Sequence, residues 1–500
     1  MFTFKELTQT NGFDTEDLSN AIQNSYAWSM TELGDYIYVA TSRNLISSLP
    51  ISLGVAAPIP PEFVTGNDNN AEIWRYKKDG TCPWQQVFKA DPRDKVMGFR
   101  AMITHKTYDS CSIYAASMGE NVKLFKSDDG CHWIKIDTSY LSGTSSRALA
   151  SFNGKLYIAA LELGIGGNTP LLYSSPDPEI EPFKSVINPR SKNFISSMNP
   201  MGGIDALNVF NNKLYVGIST TEDAEVWRSK NLNPRTNKWV KVADKGFGDS
   251  MNSNIMSTGK FKDHLYVAVT KQIPLALFIP FGFDLIRIDK NDNWQLVTGG
   301  KPLSPSVPTK GKRNKSLSGF NSGFNNMFNV YGWQIKEFKD NLILTTYDSS
   351  TNIKTLLVHI MYSEDFYVKN IGRKNYTKLV NAYKKIYALL CKYNFPKGFD
   401  MYYSKDGCHF EPVVLNGLNN PNNYGGRTLY VSCENELYLG TANPFEGLEV
   451  WKVDYSSCDQ NYSNNMIHSY FKELNMLNKQ LLKVYPTLLC IVPQISQMNM

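Results

Sequence analysis

Three arginines, two tryptophans, an aspartate and a methionine share one recurring position in this sequence. It lies nine residues before the Leu (or Ile) of a repeated Leu-Tyr pair, a count that reaches Trp28, Arg147, Asp205, Met256 and Trp333. Two further copies have longer hairpins, and Gly98-Phe99-Arg100-Ala101-Met102 and Gly426-Arg427-Thr428-Leu429 add Arg100 and Arg427 by pattern. A purely structural position would repeat one small or aliphatic residue, whereas this one changes from copy to copy. Guanidinium forks match carboxylate, phosphate or sulfate oxygens. Tryptophan faces can stack a sugar or an aromatic ring. Arginines near one axis repel each other unless an anion or carboxylates sit among them. Two arrangements therefore stay open: a ligand site, or pairing of the arginines with Asp205, Glu162 and Asp348 to hold neighbouring repeats together.

The ends of the Leu-Tyr strands fall on the same side and carry Arg43, Glu162, Lys271, Asp348 and Asn443. Arg43 joins the expected ligand-binding set of Trp28, Arg43, Arg100, Arg147, Asp205, Trp333 and Arg427. Glu162 and Asp348 are the only candidates for an acid/base pair, and the sequence does not fix their separation. His132, His264 and His409 lie in hairpins on the opposite side, which disfavours a histidine-dependent nucleophile. No glycine-rich phosphate loop or serine elbow is present. The eight cysteines show no CxxC pair and no metal-ligand spacing, so free thiols are expected, with no metal and no cofactor.

The elements that must position these residues are strands. Ser146-Arg147-Ala148-Leu149-Ala150-Ser151-Phe152-Asn153-Gly154-Lys155-Leu156-Tyr157-Ile158 is the clearest of seven copies; the others begin near Trp28, Arg100, Asp205, Met256, Trp333 and Arg427. An aromatic third strand follows each, as in Ala224-Glu225-Val226-Trp227-Arg228. A fourth strand carries an aromatic and then an aliphatic residue, as in Trp239/Val242. Short β-branched and aromatic runs between Gly, Asn and Asp turns signal strands. Four strands repeated around a ring predict an all-β, seven-bladed propeller. The seventh copy lacks a fourth strand, and Phe4-Lys5-Glu6-Leu7 carries the missing pattern, so the N-terminal strand is expected to close the last blade.

Ser127-Asp128-Asp129-Gly130-Cys131-His132-Trp133 and Ser404-Lys405-Asp406-Gly407-Cys408-His409-Phe410 repeat one turn, in which the Asp carboxylate and the Gly backbone satisfy a tight hairpin. They resemble shortened Asp-box turns, which are peripheral and structural. With Tyr26-Ala27-Trp28-Ser29-Met30, Ser318-Gly319-Phe320-Asn321-Ser322-Gly323-Phe324 and Gly440-Thr441-Ala442-Asn443-Pro444-Phe445-Glu446-Gly447-Leu448-Glu449-Val450-Trp451, the chain resembles an uncharacterised bacterial family of β-propeller proteins with Asp-box and kelch-like repeats. The resemblance covers roughly residues 20–455; it implies the fold and carries no activity.

Insertions gather on the face that bears the variable position. Apolar lids are expected at 44–64 and 272–282, and a helical lid at 353–398, where Leu379, Val380, Tyr383, Ile386, Leu389 and Leu390 have helical spacing. The division expected is a propeller over 1–457 and a helical tail over 458–500, the latter amphipathic from Met466 to Leu482. A net charge of +6 on 500 residues, 42% apolar and 20% charged, excludes a nucleic-acid arm. No run of apolar residues has the length of a membrane span. The N-terminus lacks the apolar core of a signal peptide, so a cytoplasmic monomer is expected, with export by a route that leaves no N-terminal mark as the alternative. The sequence thus reads as a propeller binding an anionic or sugar-like ligand at a lidded axial site. A sialidase-like or other glycan-processing enzyme, and a scaffold docking a protein through its apolar lids, are the alternatives.

Overall fold

The computed structural model describes residues 1–47, 57–64, 66, 68–107, 110–162, 167–220, 222–456 and 464–496. Residues 48–56 of the expected lid at 44–64, and 458–463 and 497–500 of the tail, lie outside the described residues. The fold is mostly β. Antiparallel meanders succeed one another, and their first strands are Asn24–Leu33, Val96–Lys106, Ser145–Phe152, Gly203–Phe210, Asn252–Phe261, Asn329–Phe338 and Gly425–Val431. We number the meanders as units 1 to 7 in this order. Each first strand pairs with the Leu-Tyr strand that follows it; Phe152 opposite Lys155 is typical. Asn153 and Gly154, with φ of 49° and 71°, form the two-residue turn between them; positive φ at both positions matches the twist of a hairpin.

The Leu-Tyr strands are buried along almost their whole length, because one face packs on the preceding unit and the other on the next. Leu156, Ile158 and Ala160 of unit 3, for example, share a core with Tyr114, Ala116 and Leu124 of unit 2. No unit can bury both faces alone, so the repeats must stack. Innermost strands neighbour one another in order, and that of unit 7 contacts that of unit 1. Hydroxyls tie these neighbours together: Ser29 donates to the Phe99 carbonyl at 2.8 Å, Ser257 to Gly332 at 2.9 Å, and Thr428 to Ala27 at 2.6 Å. The strand Phe2–Glu6 completes unit 7 by pairing antiparallel with Trp451–Tyr455, as the Phe4–Leu7 pattern predicts.

The repeated Asp-Gly-Cys-His turns dock each on the preceding unit. Asp129 accepts from the backbone N–H groups of Cys131 and His132, both at 2.8 Å, and Asp406 does the same for Cys408 and His409. A Cβ on Gly407 would lie 1.8 Å from the Tyr266 hydroxyl, so only glycine lets that tyrosine of unit 5 reach the turn. Arg75 and Arg287 donate to the thiols of Cys131 and Cys408 at 2.7 and 2.9 Å. The histidine of each turn instead bonds back to its own aspartate.

The insertions form one apolar body. Helices Leu275–Phe278, Asn352–Tyr362, Glu364–Lys392, Asn464–Leu481 and Tyr485–Ser496 share a core containing Phe278, Ile353, Leu379, Tyr383, Leu477 and Leu488. The tail therefore packs on the lids. Lid 272–282 is not a free docking surface: Phe278, Ile279 and Phe281 are buried in that core, with Tyr485 of the tail stacked edge-on at 5.5 Å from Phe281. Among the described residues no helix is long and apolar enough to cross a membrane.

Candidate functional site

Every innermost strand breaks its ladder at the same place. The pairing with the Leu-Tyr strand skips a residue there in each unit, namely Trp28, Arg100, Arg147, Asp205, Met256, Trp333 and Arg427; units 1, 2, 5 and 6 skip a second one three positions earlier, at Ser25, Met97, Ser253 and Val330. The first seven are the variable residues of the sequence. A β-bulge leaves its extra residue outside the hydrogen-bond register and re-aims its side chain. Here all seven turn toward a common centre. Arg147 of unit 3 reaches Met256 of unit 5 at 3.5 Å from the sulfur, and Tyr26 of unit 1 packs on Trp333 of unit 6 at 5.7 Å. Contacts that skip a unit are possible only across the axis of the ring.

Two of the ring residues are seated in the same way. Trp28 lies against Gly98 of unit 2, where a Cβ would come within 2.2 Å of its ring, and Trp333 lies against Gly425 of unit 7, where the distance would be 2.0 Å. Each tryptophan also carries a guanidinium over its ring, Arg100 over Trp28 and Arg427 over Trp333, both at 5.1 Å from the ring centroid. Trp followed in the next unit by Gly-x-Arg is thus a two-copy device for holding a buried cation against an aromatic face.

The electrostatics of the ring are one-sided. Arg100, Arg147 and Arg427 contribute three positive charges and Asp205 one negative charge. Asp205 accepts from the Ser219 hydroxyl and faces Arg147 Nε at 4.0 Å. Arg100 donates to the Ser145 hydroxyl at 2.9 Å. Arg427 is 7% exposed, and its Nε has no hydrogen-bond partner among the described residues. Burial, with Arg147 close by, pushes the Arg427 guanidinium down to about 9. Burial and the charges of Arg147 and Arg427 lower Arg100 far below its ordinary range. Buried guanidinium groups close to one another disfavour each other's charged form in this way.

A wall of tyrosines closes one side, a part of the site that the sequence reading missed. Tyr26, Tyr331, Tyr347 and Tyr424 join the tryptophans through edge and tilted contacts of 4.8–6.1 Å. Tyr26 and Tyr424 share a hydroxyl–hydroxyl hydrogen bond, and burial raises Tyr26 to about 12. Tyr26 and Tyr331 stand two residues before Trp28 and Trp333, a spacing that could have flagged them. Ala276 and Leu277 of the helical body pack on this wall, and Asn352 donates to the Tyr347 hydroxyl at 2.8 Å.

Three candidates fall elsewhere. Arg43 does not join the ring: its guanidinium is fully buried among Asn24 (2.9 Å), Asn20 (2.8 Å) and Glu72 (3.4 Å), because a strand-end cation there meets the acid that opens the third strand. Glu162 is exposed and satisfied locally by Thr169 (2.6 Å) and the Asn168 N–H (3.0 Å). Asp348 is buried and bonded to Asn326 (3.0 Å) and the Ser350 N–H (2.7 Å); burial, with Asp400 nearby, pushes it up to about 7. Among the described residues Glu162 and Asp348 share no hydrogen-bond partner. An open cavity of ≈ 740 Å³ lies against the 299–321 loops beside Lys301, Lys312 and Arg313, and no ring residue lines it. Arg313 is already committed to Asp284 at 3.0 Å.

The class these observations define is a mostly β protein with propeller-like meanders around an arginine- and aromatic-lined centre. No protein-family model matches the chain, and no curated protein sequence does. Among solved structures it is similar to the GH74 enzyme of Niastella koreensis, at 10% identity and a TM-score of 0.45, over 88% of this chain and 53% of that one. This chain thus corresponds to about half the length of that enzyme. It is also similar to the WD40 β-propeller domain of Doa1, at 7% identity and a TM-score of 0.43 over 91% and 98% of the two chains. A third similar structure is the acylaminoacyl peptidase of Pyrococcus horikoshii, at 6% identity and a TM-score of 0.40 over 91% and 55%.

Proposed function

We propose that this chain is a seven-bladed propeller of four-stranded blades that binds an anionic ligand at its enclosed axial ring. Seven bulged strands, each the neighbour of the next, and an N-terminal strand completing the last meander support the blade count. One observation carries the ligand: the guanidinium groups of Arg147, Arg427 and Arg100 converge on one buried centre, and the Arg427 Nε there has no hydrogen-bond partner among the described residues. A dianion such as a phosphate monoester, a dicarboxylate or an acidic sugar would balance them, and the tryptophan and tyrosine faces would pack its apolar part. The glycan-processing and docking alternatives have less support: Glu162 and Asp348 share no hydrogen-bond partner among the described residues, and lid 272–282 is covered by the chain's own tail.

A thermal-shift screen of phosphate, sulfate, citrate and acidic sugars tests the proposal. A ligand at 100 times its Kd stabilises the folded state by about 2.7 kcal/mol. At least one dianion is expected to raise Tm saturably in the wild type and not in Arg147→Ala. Equal shifts in both proteins, or no shift with any anion, would overturn it.

A further inference from the structure

Four units share a buried polar device outside the ring. In each, an asparagine of or just before the innermost strand donates its amide to the acid that opens the third strand: Asn24 to Glu72 (2.9 Å), Asn252 to Asp284 (2.9 Å), Asn329 to Asp400 (2.7 Å) and Asn423 to Glu449 (2.7 Å). The same asparagine also donates to a glycine carbonyl, that of Gly12, Gly246, Gly323 or Gly417. The third member is the residue at the end of the Leu-Tyr strand. Arg43, Lys271 and Asp348 lie directly opposite Asn24, Asn252 and Asn329 in the ladder, and Asn443 bonds to Asn423.

Charge sets unit 6 apart. In unit 5, Lys271 Nζ sits 2.9 Å from Asp284 and 3.0 Å from Asp249, and Arg313 adds a second cation. In unit 1, Arg43 and Lys89 face Glu72 and Asp68. Two positive groups balance two negative ones in each case. Unit 7 places a neutral amide at Asn443. Unit 6 places a second carboxylate, Asp348, and no basic side chain bonds to it or to Asp400 among the described residues. Both aspartates are buried, at 0% and 1% exposure. Asn326 bridges them with one amide, at 3.0 and 3.3 Å. Asp400 Oδ1 lacks any partner among the described residues, and the Ser350 hydroxyl, itself 1% exposed, lies beside the Asp348 carboxylate that its backbone N–H serves.

We propose that Asp348, Asp400 and Ser350 bind a hard, oxygen-seeking cation, which takes the place that Lys271 Nζ and the Arg43 guanidinium fill in units 5 and 1. Two buried carboxylates without a counter-charge are costly, and a cation repays that cost through direct coordination. Carboxylate and hydroxyl oxygens suit Ca²⁺ first, since it matches both charges and accepts six to eight oxygen ligands including waters. The site does not depend on the axial reading, because none of its residues belongs to the ring.

The full chain, stripped with EDTA and exchanged into a choline chloride buffer, is to be melted with CaCl2, MgCl2, NaCl or KCl at matched ionic strength. A saturable rise in Tm with one cation is expected in the wild type and should be absent in Asp348→Asn, which copies the neutral Asn443 arrangement. Asp348→Lys, which carries its own cation as unit 5 does, should melt at or above the cation-free wild type and ignore added salt. Terbium luminescence sensitised by Tyr402, whose hydroxyl donates to Asp400 at 3.0 Å, and lost on adding Ca²⁺ gives a second readout if either variant folds poorly. No response of the wild type to any cation overturns the proposal, as does a Tm that rises only on acidification, which would mean that the pair shares a proton.

Discussion

Replacing Arg427 with leucine is the sharpest test of an axial ring built for something it does not itself contain. The Arg427 guanidinium, ordinarily near 12.5, is held at about 9 by burial and by Arg147. At 1.36 kcal/mol per pKa unit, that depression corresponds to on the order of 5 kcal/mol working against the ligand-free fold. Structural relaxation and water entry reduce it, and the contact with Trp333 offsets about 1 kcal/mol. Replacing a buried ion pair with apolar side chains of similar volume is often neutral or stabilising, by about 1–4 kcal/mol, and a buried guanidinium with an unmet Nε has less attraction to lose. Arg427→Leu should therefore melt higher than the wild type in anion-free buffer, by on the order of a few degrees. The sign should reverse in a saturating dianion, because only the wild type then gains binding energy. Scanning calorimetry of both proteins, with and without the best anion from the screen, reads all four values. The reasoning fails if Arg427→Leu melts lower without ligand, since the guanidinium would then be a structural partner and not an unmet charge. Alkali sharpens the point. A base whose folded pKa lies below its unfolded one loses its proton earlier when folded, so this contribution favours folding increasingly as pH rises from about 9 towards 12.5.

Other perturbations follow from the same contacts. Gly425→Ala drives a Cβ to 2.0 Å from Trp333 and should cost about 1–3 kcal/mol; anion binding should weaken with it, read by the same melts. Lys271→Met leaves Asp249 and Asp284 buried without their lysine and should cost about 3–5 kcal/mol at neutral pH, measured by urea denaturation. Lys271 and Arg313 hold Asp284 down at about 2, below its ordinary 3.8. The stability this contributes in the wild type is complete above pH 4 and is lost as pH falls from about 4 through 2, so the acid arm of its pH–stability curve should flatten in the mutant. Phe2→Ala should cost about 3 kcal/mol, because Phe2 packs on Tyr403 and Tyr455 where the first strand meets the last unit. Deleting residues 1–8 should lower Tm further still, and an unchanged Tm would refute closure by that strand.

Much of this was legible in the sequence because stacking repeats impose the same demand on each copy. The Leu-Tyr strands are buried on both faces, and that constraint keeps their apolar run nearly constant from Ile37 to Leu437. The pattern Phe4-x-x-Leu7 carried the missing strand for the same reason. The ring position was legible as a place, because it kept its distance from the Leu-Tyr pair while its residue changed. Its bulge was not, since these strands are apolar on both faces and show no alternation for a skipped residue to reverse; Tyr424, which precedes the strand Gly425–Val431, lies outside the repeat pattern altogether. Arg43 shows the limit of position alone: a strand-end cation looks the same whether it meets a ligand or Glu72, and only the three-dimensional neighbour decides. The tail helices showed their amphipathic faces but not their target, because docking on Phe278 and Tyr383 depends on surfaces far away in the chain.

The seven bulges also separate two jobs that a strand residue ordinarily performs together. A residue within the ladder must suit both its cross-strand partner and its sheet face, so changing it risks the sheet. A residue outside the ladder is released from the cross-strand register and answers to its neighbours around the centre. This chain already seats tryptophan, arginine, aspartate and methionine at that one position on a common backbone. The ring is in effect a row of sockets, so new binding specificities could be introduced by exchanging these seven side chains, with the strands that carry them left as they are.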